Sequence, residues 1–321
     1  MATKTSRSQT SRSTQKKITE MQLIDSAFFM TWSRLRHVFY EGIKAVCDLS
    51  VTQYRILIYL TSSKKNGVGI SEGCSALALS PSLASQSIDV LETMGYAERI
   101  DGPQTDKRAR NVRLTAKGYE CLNATEEALV KKMEEVFSGR STVYQSFLDI
   151  MNQKSAIIDQ GDAQKYPISC LLSLFERLAT TAERALKKKF GLNLVAYRVM
   201  QTLTAEDMPL RMGDISYRTE TSPVAVTRAA ATLLDCGCAQ KYANLSDAKA
   251  IYLALTKNSQ PVNQEASMVM AALIKELVMP YVPATQLKAM LKVGTVIQQD
   301  LAKSRTPVAA LEVEQLVPAE E

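Results

Sequence analysis

The 321-residue chain writes much of its sequence twice, and this limits its fold more than any other feature. Adding 143 to Ser26, Arg34, Leu35, Leu49, Tyr54, Arg55, Leu60 and Thr61 lands on Ser169, Arg177, Leu178, Leu192, Tyr197, Arg198, Leu203 and Thr204. From Ser80 the offset is 142, pairing Pro81 with Pro223, Leu91 with Leu233, Gly95 with Gly237 and Ala97 with Ala239. It then becomes 141, pairing Asp106 with Asp247, Leu114 with Leu255 and Thr115 with Thr256. Both single-residue losses fall in stretches rich in Gly, Asp, Ser or Asn, where loops tolerate them. Two copies at so long a period mark a domain duplication, because solenoid repeats run about 20–50 residues. With 46% hydrophobic residues, the chain has apolar material for two cores.

Each copy repeats one order of local signals. A long amphipathic segment comes first, MQLIDSAFFMTWSRLRHVFYEGIKAV or ISCLLSLFERLATTAERALKKKF, and predicts a helix. Ser50 or Asn193 then caps a second helix, and a short helix follows near 71–78 or 213–219. Ser80 and Ser222 are N-caps with Pro81 and Pro223 at the first helical position, and Gly95 and Gly237 stop those helices. Ala84, Ile88 and Leu91 form a stripe to be buried, as do Val226, Ala230 and Leu233. The opposite stripe carries Ser82, Ser85 and Gln86 in one copy, and Val224, Thr227 and Arg228 in the other. A hairpin comes next, then a long helix beginning near Ala116 or Lys257 and a further one near Ser141 or Ala284. That order is a winged helix-turn-helix carried on a helical platform.

The run LALSPSLASQSIDVLETMGYAERIDGPQTDKRARNVRLTAKG, from Leu77 to Gly118, resembles the multiple-antibiotic-resistance regulator (MarR) family. The Asp106-Lys107-Arg108 wing tip and the closing Leu114-Thr115-Ala116-Lys117-Gly118 carry most of the likeness. Copy two departs from it, with Lys249 where the wing arginine is expected and Asn258-Ser259 in place of Lys117-Gly118. The resemblance implies a mainly α fold with small β wings: two winged helix-turn-helix domains on a shared helical platform, a pseudo-two-fold intramolecular dimer. Residues 1–17 are expected to be a disordered basic tail, 18–158 the first repeat, 159–166 a linker, 167–303 the second repeat and 304–321 a tail.

The function implied is a sequence-specific transcriptional regulator, a ligand-responsive repressor that as a monomer grips an imperfect inverted repeat of double-stranded DNA. The candidate DNA contacts are Ser80, Ser82, Ser85, Gln86, Lys107, Arg108 and Arg110 in copy one. In copy two they are Ser222, Val224, Thr227, Arg228 and Lys249. Gln86 suits adenine N6 and N7 while Arg228 suits guanine O6 and N7, so the two heads should prefer different half-sites. Family members commonly sense small molecules between platform and head, which makes Trp32, Arg34, His37, Tyr54 and Arg177 candidates for an aromatic or phenolic effector. Much of that set also reads as a packing stripe. A winged-helix module that docks proteins is the alternative, motivated by the depleted wing of copy two.

Other chemistry finds less support. Gly69-Ile70-Ser71-Glu72-Gly73 spells a nucleophile elbow, but the one histidine, His37, precedes the serine, against the order of that fold. Cys236-Gly237-Cys238 lacks a second ligand pair for zinc, so no metal, cofactor or enzymatic activity is expected. Six cysteines without a regular framework read as reduced buried thiols, with Cys170 the candidate for oxidant sensing. No apolar run spans a membrane and no secretory core opens the chain, so a cytoplasmic location is expected. A net charge of +6 allows an anionic partner without requiring one.

Overall fold

A computed structural model of the chain describes residues 25–62, 67–101, 110–138, 142–151, 162–245, 247–304 and 316–318. The first copy runs α1 (Ser26–Val46), α2 (Val51–Leu60), β1 (Val68–Gly69), α3 (Ile70–Leu77), α4 (Pro81–Thr93), β2 (Ala97–Asp101), β3 (Arg110–Leu114), α5 (Ala116–Val136) and α6 (Thr142–Met151). A short 3-10 turn at Ala163–Lys165 leads into the second copy. That copy runs α7 (Pro167–Phe190), α8 (Leu194–Glu206), β4 (Leu210–Arg211), α9 (Met212–Thr219), α10 (Pro223–Asp235), β5 (Ala239–Asn244), β6 (Asp247–Leu255), α11 (Ser259–Leu277) and α12 (Ala284–Ser304). A terminal strand, β7 (Leu316–Pro318), closes the sequence of elements. The fold is thus mainly helical with small antiparallel sheets.

The chain divides into two compact units. The first joins Trp32–Thr181 to Leu277–Ala289, and its sheet has the order β1-β3-β2, with Val68 opposite Val112 and Ala97 opposite Leu114. Its core gathers Leu35, Val38, Phe39, Tyr54, Leu57 and Leu122, all fully enclosed. Within it Glu126 on α5 is buried and accepts the Ile168 and Ser169 backbone N–H groups at 2.8 and 3.0 Å, capping α7 from a distant helix. The Ser169 hydroxyl also donates to Glu126, at 2.5 Å, and stands 2.8 Å from the Tyr54 hydroxyl.

The second unit joins Ala182–Glu276 to the described parts of 1–31 and 290–321, and its sheet has the order β4-β6-β5-β7. Leu210 lies opposite Leu253, and Ala239 opposite Leu255. Here Tyr197 repeats Tyr54, but its hydroxyl meets Ser267 at 2.9 Å, the residue that stands where the first copy has Glu126. Within the unit α12 crosses α1 at Gly294, where any Cβ would overlap the Ala27 carbonyl. The Thr31 hydroxyl donates to the Met290 carbonyl at 2.6 Å on the same seam, and Gln298 donates to Ser26 at 2.9 Å.

Two details refine the sequence reading. The strands β1 and β4 are too short to show as alternation, and each exists only because β3 or β6 offers a ladder beside it. Helix α11 begins at Ser259, just past Lys257, whereas α5 begins at Ala116 itself. Gly118 in the first turn of α5 sits so close to the Tyr96 carbonyl that a Cβ would overlap it. The second copy has Ser259 at that position, so its helix cannot start with the same close approach.

Candidate nucleic-acid interface

Helices α3 and α4, and likewise α9 and α10, form a helix-turn-helix in which the second helix buries one face and exposes the other. Arg55 on α2 donates its Nη2 to the Leu77 carbonyl at 2.8 Å, and Arg198 on α8 donates to the Thr219 carbonyl at 2.6 Å. Each arginine therefore staples the carboxyl end of the short helix just before the turn. The chain turns there through a left-handed residue, Ala78 at φ 54° or Glu220 at φ 46°, where glycine would be the usual choice. Burial of Arg55 pushes its guanidinium down to about 10, which still leaves it charged at neutral pH.

The exposed helices start as the sequence predicts. Ser80 Oγ accepts the Leu83 N–H and Ser222 Oγ the Ala225 N–H, both at 3.3 Å, with proline at the first helical position. Ala84, Ile88 and Leu91 are buried, as are Val226, Ala230 and Leu233. Ser80, Ser82, Ser85 and Gln86 are exposed, and so are Ser222, Val224, Thr227 and Arg228. The Thr227 hydroxyl donates back to the Pro223 carbonyl at 3.0 Å, which leaves its methyl and a lone pair outward.

The wings are less alike than the helices. In the first, Arg99 is held by Glu92 and, at 2.6 Å, by Asp89, and Arg113 pairs with Glu98 at 2.7 Å. Arg110 opens β3 opposite Asp101, while Lys107 and Arg108 lie outside the described residues. In the second wing Lys249 is exposed, and the Asp247 carboxylate accepts its backbone N–H at 3.1 Å while meeting Arg211 at 3.4 Å. Strand β7 adds an outer edge here, with Val317 opposite Ala243.

The effector candidates differ in burial. Trp32 and Tyr54 are fully buried, Trp32 with its ring 6.1 Å from Phe175 and Tyr54 with its ring 5.8 Å from Phe39. Arg34 and Arg177 are half-buried and His37 is exposed. The ion pair in this region belongs to residues outside the matched set: Arg36 grips the carboxylate of Glu176 with two bonds, at 2.5 and 3.2 Å. A cavity of about 490 Å3 opens in the second unit, where Tyr217 and Arg218 of α9 face Thr202 of α8, Tyr252 of β6 and Gln298 of α12. Arg218 is already paired with Glu206 on its wall. The equivalent residues of copy one are Ser75 and Ala76, so the only sequence sign of this cavity was a place where the echo fails.

All six cysteines are free. Burial pushes Cys170 up to about 12, disfavouring its thiolate. Cys47 is the thiol pushed down, to about 7, by a hydrogen bond from Cys121, whose own thiol is raised in turn. Gly69–Gly73 covers the end of β1 and the first turn of α3, and among the described residues no His, Cys, Asp or Glu side chains gather as metal ligands would. No helix among the described residues is long and apolar enough to cross a membrane.

No protein-family model matches the chain, and no curated protein does. Among solved structures it is similar to AbsC, a MarR family transcriptional regulator from Streptomyces coelicolor, at 17% identity, over 42% of this chain and 90% of that one, with a TM-score of 0.34. It is similar to Sco3205, a MarR family regulator from the same organism in complex with DNA, at 18% identity over 44% and 87%, TM-score 0.35. CouR from Rhodococcus jostii RHA1, bound to p-coumaroyl-CoA, matches at 16% identity over 43% and 94%, TM-score 0.35.

Proposed function

We propose that this chain is a sequence-specific DNA-binding transcriptional regulator, a ligand-responsive repressor with two non-identical winged helix-turn-helix heads in one molecule. The observation that carries this reading is the doubled exposed helix. Both α4 and α10 stand behind the same arginine staple, bury the same stripe, and present chemically different polar faces. A structural role alone would require the staple and the buried stripe; it would not require outward Gln86 and Arg228 at matched positions. Such a helix fits the major groove, where glutamine selects adenine and arginine guanine.

The two repeats, 18–158 and 167–303, would act as a dimer fused end to end. Support comes from the make-up of each unit. Head one shares its core with Ser169, Phe175 and Glu176 of the second repeat, and head two shares its core with Ala27 and Phe29 of the first. Exchanged helices of this kind complete the platform within a single chain. The midpoint of thermal unfolding should therefore stay constant from micromolar to nanomolar protein, whereas an obligate homodimer would shift downward on dilution. Scanning calorimetry and dye-reported melting over that range decide the matter.

Ligand response is assigned to the cavity beside head two. An aromatic anion entering it would compete with Glu206 for Arg218, freeing α9 from α8, and α9 carries the turn that aims α10. The DNA reading is tested by binding selection on randomised duplexes. The wild type should select an imperfect inverted repeat with half-site centres about 34–36 Å apart. Arg228→Gln should relax one position of one half-site, costing about 1–3 kcal/mol there and little elsewhere. A symmetric wild-type motif, or a uniform loss in the variant, would show that residue 228 meets phosphate and not base.

A further inference from the structure

The most exposed large hydrophobic side chains among the described residues are Leu245, at 72%, and Val224, at 61%. Both belong to head two, one at the tip of its wing and the other in the first turn of its outward helix. Single exposed apolar residues are ordinary on a protein surface. What is not ordinary is that the two extremes fall on the two points by which a winged helix-turn-helix touches a duplex. Resting on the reading above, we propose that head two reads its half-site by apolar contact, with Val224 against a thymine methyl in the major groove and Leu245 as a wedge in the minor groove.

Each contact follows from local geometry. Val224 is the second residue of α10, next to Pro223, at the helix end that a recognition helix presents to base edges. Thr227 and Arg228 lie one turn on along the same exposed face. Valine offers no hydrogen bond, so the one base-edge group it matches is the C5 methyl of thymine. Head one has Ser82 at this position and would not make that contact.

Leu245 directly follows Asn244, the last residue of β5, just before β6 resumes at Asp247, and its side chain is exposed. A wedge must be stiff, since it spends binding energy on unstacking bases. The second wing is stiffened on its outer edge by β7, whose Leu316 pairs with Asn244, the residue just before the tip, and Asn244 itself is buried. Lys241 and Lys249 are exposed on the two strands of the hairpin and supply the positive charge that phosphates on either side of a minor groove require. An apolar tip explains how this wing can do without the arginine pair of the first.

The experiment uses the full chain with the duplex obtained by selection. One probe replaces each thymine of the head-two half-site in turn by deoxyuridine, which removes only the methyl. The other places 2-aminopurine, whose fluorescence rises on unstacking, along the minor groove flanking that half-site. For the wild type, one deoxyuridine should weaken binding about threefold to tenfold, the worth of a buried methyl contact. Val224→Ala should bind the parent duplex weaker by a similar factor and become indifferent to that deoxyuridine. One 2-aminopurine position should brighten with the wild type and stay dark with Leu245→Ser, which should also lose the bend read by end-to-end energy transfer. Both positions are exposed, so the variants should melt as the wild type does. Wild-type binding that ignores every deoxyuridine and brightens no 2-aminopurine would overturn the proposal. Selection of a single half-site, read through Gln86 alone, would overturn it while leaving DNA recognition by head one intact, and would make the apolar face a protein-docking surface. Failure to select any duplex would instead remove the regulator reading itself.

Discussion

Glu126→Leu is expected to destabilise the unit containing head one by about 3–5 kcal/mol, the range for stripping a buried charged acceptor from its donors. Three donors converge on this carboxylate: the Ile168 and Ser169 N–H groups and the Ser169 hydroxyl. Leucine would leave two first-turn N–H groups of α7 buried without an acceptor and forfeit a negative charge at a helix N-terminus. Glu126→Gln keeps one acceptor oxygen and should cost about 1–2 kcal/mol. The carboxyl also gives a pH signature, because burial raises it above its ordinary value even though its hydrogen bonds pull the other way. The folded protein then binds that proton more tightly than the unfolded chain does. Its contribution is complete below the ordinary carboxylate pKa and fades as pH rises through the raised one. The stability of the wild type minus that of Glu126→Gln should accordingly fall as pH rises across that interval. Urea midpoints of both proteins at a series of pH values measure this, and a difference that grew with pH would mean that capping of α7 outweighs burial.

Gly294→Val should be nearly as damaging, at about 3 kcal/mol, the upper end for overpacking, because the obstacle is backbone. The Cβ would overlap the Ala27 carbonyl, and neither partner can rotate away as a side chain could. Helix α12 would have to lift from α1 along a seam that also holds Thr31 on Met290 and Ser26 on Gln298. Gly213, in α9 with open space around it, supplies the control. Gly213→Ala should leave stability unchanged or raise it by about 1 kcal/mol through helix propensity. Similar losses in the two variants, measured by denaturation, would show that Gly294 matters for its backbone freedom and not for the close crossing.

The parts of the candidate site that were legible in the sequence were those fixed by neighbours along the chain. Caps at Ser80 and Ser222, prolines at the first helical position and stops at Gly95 and Gly237 all depend on residues within one or two turns, and the structure places them as predicted. The buried stripes of α4 and α10 were readable for the same reason, since a period of 3.6 assigns each residue to a face. Side-chain pairing between elements shows the limit of that reasoning. Arg34, Arg36 and His37 share α1, but spacing along a helix does not say what the facing element brings. Glu176 came from the second repeat and chose Arg36.

By itself the sequence determined the order of elements, the doubling and the difference between the two outward helices, all carried by short-range chemistry repeated at a fixed offset. Only the tertiary structure decided why Arg55 and Arg198 recur, because the carbonyls they staple lie about twenty residues away and carry no letter of their own. It also decided that Glu126 caps α7, that Gly294 must have no side chain, and that β7 braces the second wing. Each of these depends on which backbone atoms are brought within contact distance by packing. Backbone atoms are the same at every residue, so a sequence cannot mark where they will meet.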